Sequence, residues 1–114
     1  MPMPGLLQLR AHTRAPRHEV LPATNDVLNA CGVILEDMHE YSNRMLTYRF
    51  EIARSELDAL HHRLVEAGLV FEDQDPLAGA ADLKADDDGF VRATLQLTLP
   101  AEDGNRRNPN PDMG

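Results

Sequence analysis

From Arg44 to Ile52 the chain reads RMLTYRFEI, and this alternation constrains the fold more than any other stretch. Successive side chains on an extended strand point to opposite faces. Leu46, Tyr48, Phe50 and Ile52 therefore form one apolar row, with Met45, Thr47, Arg49 and Glu51 on the other face. Such a row needs a cover. A second strand, Val33 to Tyr41, precedes it, and Ser42-Asn43 reads as a tight turn joining the two as a hairpin, since Asn tolerates left-handed backbone.

The same period of two recurs twice. Leu6 to Thr13 places Leu7, Leu9 and Ala11 opposite Gln8, Arg10 and His12. Phe90 to Leu99 places Ala93, Leu95, Leu97 and Leu99 opposite Thr94, Gln96 and Thr98. Between the strands the spacing changes to three and four. Val20, Leu21, Thr24, Val27, Leu28 and Cys31 mark one helix face, begun near His18 to Leu21 because Pro22 suits only a first turn, and stopped at Gly32. Leu57, Leu60, Leu64 and Ala67 mark a second helix, with Ser55 as N-cap, Asp58 completing a capping box, and Gly68 as the stop. Leu69-Val70-Phe71 can open a short strand.

The order is β-α-β-β-α-β. Burying both helix stripes and the strand rows together predicts an α+β fold, a ferredoxin-like βαββαβ two-layer sandwich with an antiparallel four-stranded sheet and two helices on one face. One domain over residues 1–100 is expected, interrupted by an acidic, mobile loop at 73–89; residues 101–114 have the composition of a disordered tail. With three Phe, two Tyr and no Trp, the core must be aliphatic.

At this point the stretch Pro16 to Leu35, PRHEVLPATNDVLNACGVIL, resembles the loop–helix–strand segment of ACT domains. Val20-Leu21 matches the hydrophobic pair opening the family's first helix, Leu28 a late core position, and Gly32-Val33-Ile34 its glycine and second strand. The likeness covers roughly Leu6 to Phe71. It implies a non-catalytic regulatory or sensory module, a homodimer binding a small polar ligand such as an amino acid. The ligand would sit against Arg17, His18, Glu19 and Val20, near Gly32, Val33 and Ile34. The chain departs from the family where Arg17-His18-Glu19 replaces the glycine that lets backbone approach the ligand.

Two other readings compete. A protein-interaction module would use a free sheet edge or the acidic loop. A metal-binding protein would use Asp37 and His39, which share a strand face, with His12 as a third ligand; the bland alternative is a polar strand edge. His61-His62 read as helix surface, because adjacent helical residues point about 100° apart. Asp86-Asp87-Asp88-Gly89 lacks the ligand spacing of a calcium loop. Cys31 ends an apolar stripe and reads as a buried thiol. No nucleophile signature is present, so no enzyme and no cofactor are expected.

The formal net charge of −8 and the lack of aromatic platforms argue against nucleic acid and anionic membranes as partners. Seven acids between Glu72 and Asp88, against Lys84 alone, carry most of that charge. No stretch approaches the ~20 apolar residues of a membrane span, the apolar start is too short for a leader, and one cysteine forms no internal disulfide. The default location is cytoplasmic.

Overall fold

The alternating segments pair into one five-stranded sheet. In the computed structural model, residues 6–80, 83, 85 and 88–100 are described. The elements in order are β1 (Leu7–Thr13), α1 (Arg17–Ala30), β2 (Ile34–Ser42), β3 (Met45–Ala53), a 3-10 turn (Arg54–Glu56), α2 (Leu57–Glu66), β4 (Leu69–Phe71) and β5 (Phe90–Thr98). The expected tail at 101–114 and the acids Asp82, Asp86 and Asp87 lie outside the described residues.

The strand order is β2-β3-β5-β1-β4, which overturns the four-stranded antiparallel ferredoxin-like sheet. The strand that follows the second helix is the three-residue β4, antiparallel to β1 from Ala11↔Phe71 to Thr13↔Leu69. The long Phe90 segment is a fifth strand. It inserts between β3 and β1, antiparallel to the first and parallel to the second, from Leu7↔Ala93 to His12↔Thr98. Burial explains the choice. Val91, Ala93, Leu95, Leu97 and Leu99 are all buried, and Thr94, Gln96 and Thr98 are half-buried on the other face. A strand with that much surface to cover gains most from two neighbours, and the short β4 is enough to close the far edge.

The core lies between the sheet and the two helices. Leu9, Leu46, Tyr48, Phe50, Ile52, Leu95 and Leu97 meet Val20 and Leu28 of α1 and Leu60 and Leu64 of α2. Gly32, φ +68°, ends α1 as its spacing requires, and Gly68, φ +104°, ends α2. Thr13 Oγ1 accepts from the Ala15 N–H (3.1 Å) and donates to the Gly68 carbonyl (2.9 Å), fastening the end of β1 to the α2–β4 junction.

Two local expectations fail. Ser55 makes no cap bond: it lies in the 3-10 turn, and α2 begins at Leu57. The acidic connection is also no free excursion. Leu83 is buried in the core, with Leu77, Ala80 and Ala85 packed against it. The Arg54 guanidinium donates to the Leu83 carbonyl, and the Arg54 N–H to the Gly89 carbonyl. Apolar residues among the acids give the connection an inner side.

Candidate binding surface

β2 is exposed along its whole length. All nine residues from Ile34 to Ser42 lie open, whereas β1, β3 and β5 bury every second residue. It is a sheet edge bonded to β3 alone, so one side of its backbone has no strand partner among the described residues. Registered cross-strand residues share a face. Leu35, Met38 and Glu40, opposite Phe50, Tyr48 and Leu46, point to the helix side. Ile34, Asp37 and His39, opposite Glu51, Arg49 and Thr47, point to the outer side. The sequence supplies apolar groups to this strand in positions that none of the described residues covers: Ile34 is 54% exposed, Leu35 49%, Met38 50% and Tyr41 61%.

The helix-side residues form one wall of a groove of about 370 Å³ between β2 and α1, lined by Asn25, Leu28, Asn29, Val33, Leu35 and Met38. Register shifts between Leu35 and Asp37 and between Glu40 and Ser42 interrupt the ladder, leaving Asp37 to Glu40 regular. Two arginines hold the strand's glutamates: Arg17 Nη2 lies 2.8 Å from Glu40, and Arg92 Nη2 3.6 Å from Glu36. His39 packs edge-on against Tyr41, ring centroids 4.3 Å apart.

The residues assigned by the ACT resemblance fall into two groups at opposite ends of α1, a helix of fourteen residues, so roughly 20 Å separates them at 1.5 Å per residue. Arg17, His18 and Glu19 occupy its first turn, beside an open depression of about 530 Å³ lined by Pro16, Arg17, His18, Leu21 and Pro22. Arg17 is engaged with Glu40 and reaches the Asn43 carbonyl at 3.5 Å. Val20 is fully buried and belongs to the core. Gly32 is exposed, Val33 lines the β2 groove, and Ile34 opens the exposed edge. Within one chain these seven residues do not converge.

Nor do the metal candidates. Asp37 and His39 share the outer face, but His12 is on β1, with β3 and β5 between; three strand spacings put it roughly 14 Å away. No group of three or more His, Cys, Asp or Glu side chains among the described residues is placed to hold a metal ion. His61 meets the Phe71 ring at 4.8 Å, and His62 pairs with Glu66 at 3.1 Å on the exposed side of α2. Cys31 is buried, and burial pushes its thiol above the usual range, with Arg63 opposing and Glu56 reinforcing the shift. On the outer sheet face, Arg49, Arg92 and Thr94 border a shallow depression of about 450 Å³ with Glu36 on its rim.

The single signal in the sequence for the β2 surface is a strand with apolar residues of both parities: Ile34, Leu35, Met38 and Tyr41. A strand with one buried face would alternate instead. No helix among the described residues is long and apolar enough to cross a membrane. No protein-family model matches the chain, and no curated protein and no solved structure matches it. The chain is defined by its own architecture: an α+β protein with a mixed sheet and one long open edge.

Proposed function

We propose that the chain is a non-catalytic protein-interaction module that receives its partner along β2 and the groove between β2 and α1. One observation carries this reading: among the described residues, β2 is the only strand of nine residues whose apolar side chains are all exposed. An added strand would satisfy the unpaired edge groups and set alternate side chains against Leu35 and Met38, the mode by which sheet edges bind extended peptides. The test is capture of polypeptide partners on immobilised protein, with Leu35→Glu/Met38→Glu as comparison. Both residues are half-exposed, so the doubly substituted chain keeps its fold by circular dichroism and loses the partner. Equal retention by the two proteins would reject the edge.

A second reading, a small polar ligand at the start of α1, draws on the depression beside Arg17 and His18. At the start of α1 the Glu19 and Val20 N–H groups donate to the Pro16 carbonyl, and those of Arg17 and His18 stand at the helix end that favours anions. A ligand at 100 times its Kd would add about 2.7 kcal/mol of stability, visible as a thermal shift. Amino acids and small anions are the set to screen, with Arg17→Ala abolishing any shift. A flat response across the set removes this reading.

A further inference from the structure

We infer that β2 pairs with β2 of a second copy of this chain, antiparallel about a two-fold axis at Met38. The inference rests on the edge reading above and narrows it to one partner.

A two-fold axis normal to the sheet keeps each side chain on its own face, so each residue must meet one that points the same way. With the axis at Met38, the two Met38 side chains meet on the helix side. Asp37 of each copy then stands opposite His39 of the other on the outer side, where both residues point. Oppositely charged cross-strand pairs favour a register, and like charges oppose it. Asp37 makes no ion pair among the described residues, with Arg49 in register beside it, and this register gives its carboxylate the His39 imidazole of the other copy as a hydrogen-bond donor. Beyond the regular run this register brings Glu36 level with Glu40 of the other copy, but Glu36 turns to Arg92 on the outer side and Glu40 to Arg17 on the helix side, so the two carboxylates do not face each other across the seam. The axis also falls within the regular run Asp37 to Glu40, clear of both register shifts. Leu35 and Met38 of each copy then flank the seam on the helix side.

The topology limits the assembly to two chains. The opposite edge, β4, has three residues and offers little ladder to a neighbour. A chain with one long open edge closes on itself as a two-fold dimer, here a ten-stranded sheet, where two long edges would build open polymers.

Directly opposed residues of an antiparallel pair have Cα atoms about 4.5–5.5 Å apart, within disulfide range. Met38→Cys therefore cross-links itself across the axis, while Tyr41→Cys, three residues off the axis, lies roughly 20 Å from its mate. Tyr41 is the more exposed of the two, so random collision would favour it. The wild-type protein is expected to sediment as a dimer. Under mild oxidation Met38→Cys is expected to form linked dimer on the order of tenfold faster than Tyr41→Cys. Asp37→Lys and His39→Asp are each expected to be monomeric, and an equimolar mixture to restore a heterodimer. A wild-type monomer at high micromolar concentration, no preference for position 38, or no rescue on mixing would each overturn the inference. If the protein is monomeric yet captures another polypeptide that Leu35→Glu/Met38→Glu loses, the edge reading survives without the dimer. If it captures none, both fall.

Discussion

Tyr48 Oη and Thr24 Oγ1 are buried with no hydrogen-bond partner among the described residues. A buried hydroxyl without a partner costs about 1–3 kcal/mol of desolvation, whereas its apolar isostere loses nothing. Tyr48→Phe and Thr24→Val are therefore expected to leave stability unchanged or raise it by up to about 1 kcal/mol in urea denaturation. A loss above that size in either would mean the hydroxyl is bonded. Tyr48 also makes the fold sensitive to alkali. Burial pushes its phenol above the ordinary value, with the Arg17 guanidinium pulling part of the way back. The folded state then holds the proton more tightly than the unfolded chain. Stability from this group is complete below pH ~10 and falls as pH rises beyond it, because the unfolded phenol ionises first. Cys31 acts in the same direction from a lower starting point. In Tyr48→Phe the alkaline decline is expected to be shallower, with only the thiol's share and the general charge repulsion left. An unchanged slope above pH ~10 would exclude the phenol as its source.

Most of the elements were legible in the chain because each is written in a local period. Leu7, Leu9 and Ala11 are buried as their alternation requires, and Thr24, Leu28 and Cys31 as their helical spacing requires. What failed was pairing, which joins residues distant in sequence. Nothing near Phe90 reveals that its row belongs beside Leu7, about eighty residues earlier, with only the three residues Leu69–Phe71 on the far side of β1. The capping box at Ser55 failed for a local reason: Arg54 to Glu56 take a 3-10 turn fastened to Gly89 and Leu83, and the helix starts two residues later. Ser55→Ala is thus expected to cost less than about 0.5 kcal/mol, where a working N-cap is worth about 1 kcal/mol. The acidic connection gives the opposite contrast. Composition marks it as a mobile loop, yet Leu83 is only 6% exposed. Leu83→Ala is expected to destabilise the protein by about 2–4 kcal/mol, the cost of a core truncation. A change within experimental error of zero would return this segment to the solvent.

At the scale of the molecule, the placement of β5 ties the fold to its last strand. β5 pairs with β3 from Met45↔Thr98 to Ala53↔Phe90 and with β1 over six residue pairs, so it joins the β2–β3 hairpin to the β1–β4 pair. The candidate surface was less legible than the strand itself. Both parities of apolar residue in β2 show only that neither face alternates; that β2 is an edge follows from where β5 goes. Had the Phe90 segment been an outer strand, its loss would strip one edge and leave the remaining sheet paired. As the centre, its loss separates the sheet into two pieces and exposes the inner rows Leu7–Leu9 and Leu46–Ile52 to water. Two-stranded pieces are marginal alone. A chain ending at Gly89 is therefore expected to show no cooperative unfolding transition in urea and to bind hydrophobic dye, although it keeps both helices and four of the five strands. A cooperative transition in that shortened chain would place β5 at the periphery. The full chain is expected to fold slowly for its size, in milliseconds to seconds, because the β1–β5 ladder closes a loop of most of its length. Substitutions in that ladder test the order of events. If Leu9→Ala slows refolding in proportion to the stability it removes, the long-range pair forms in the transition state; if it only speeds unfolding, the β2–β3 hairpin and helices assemble first and β5 inserts last.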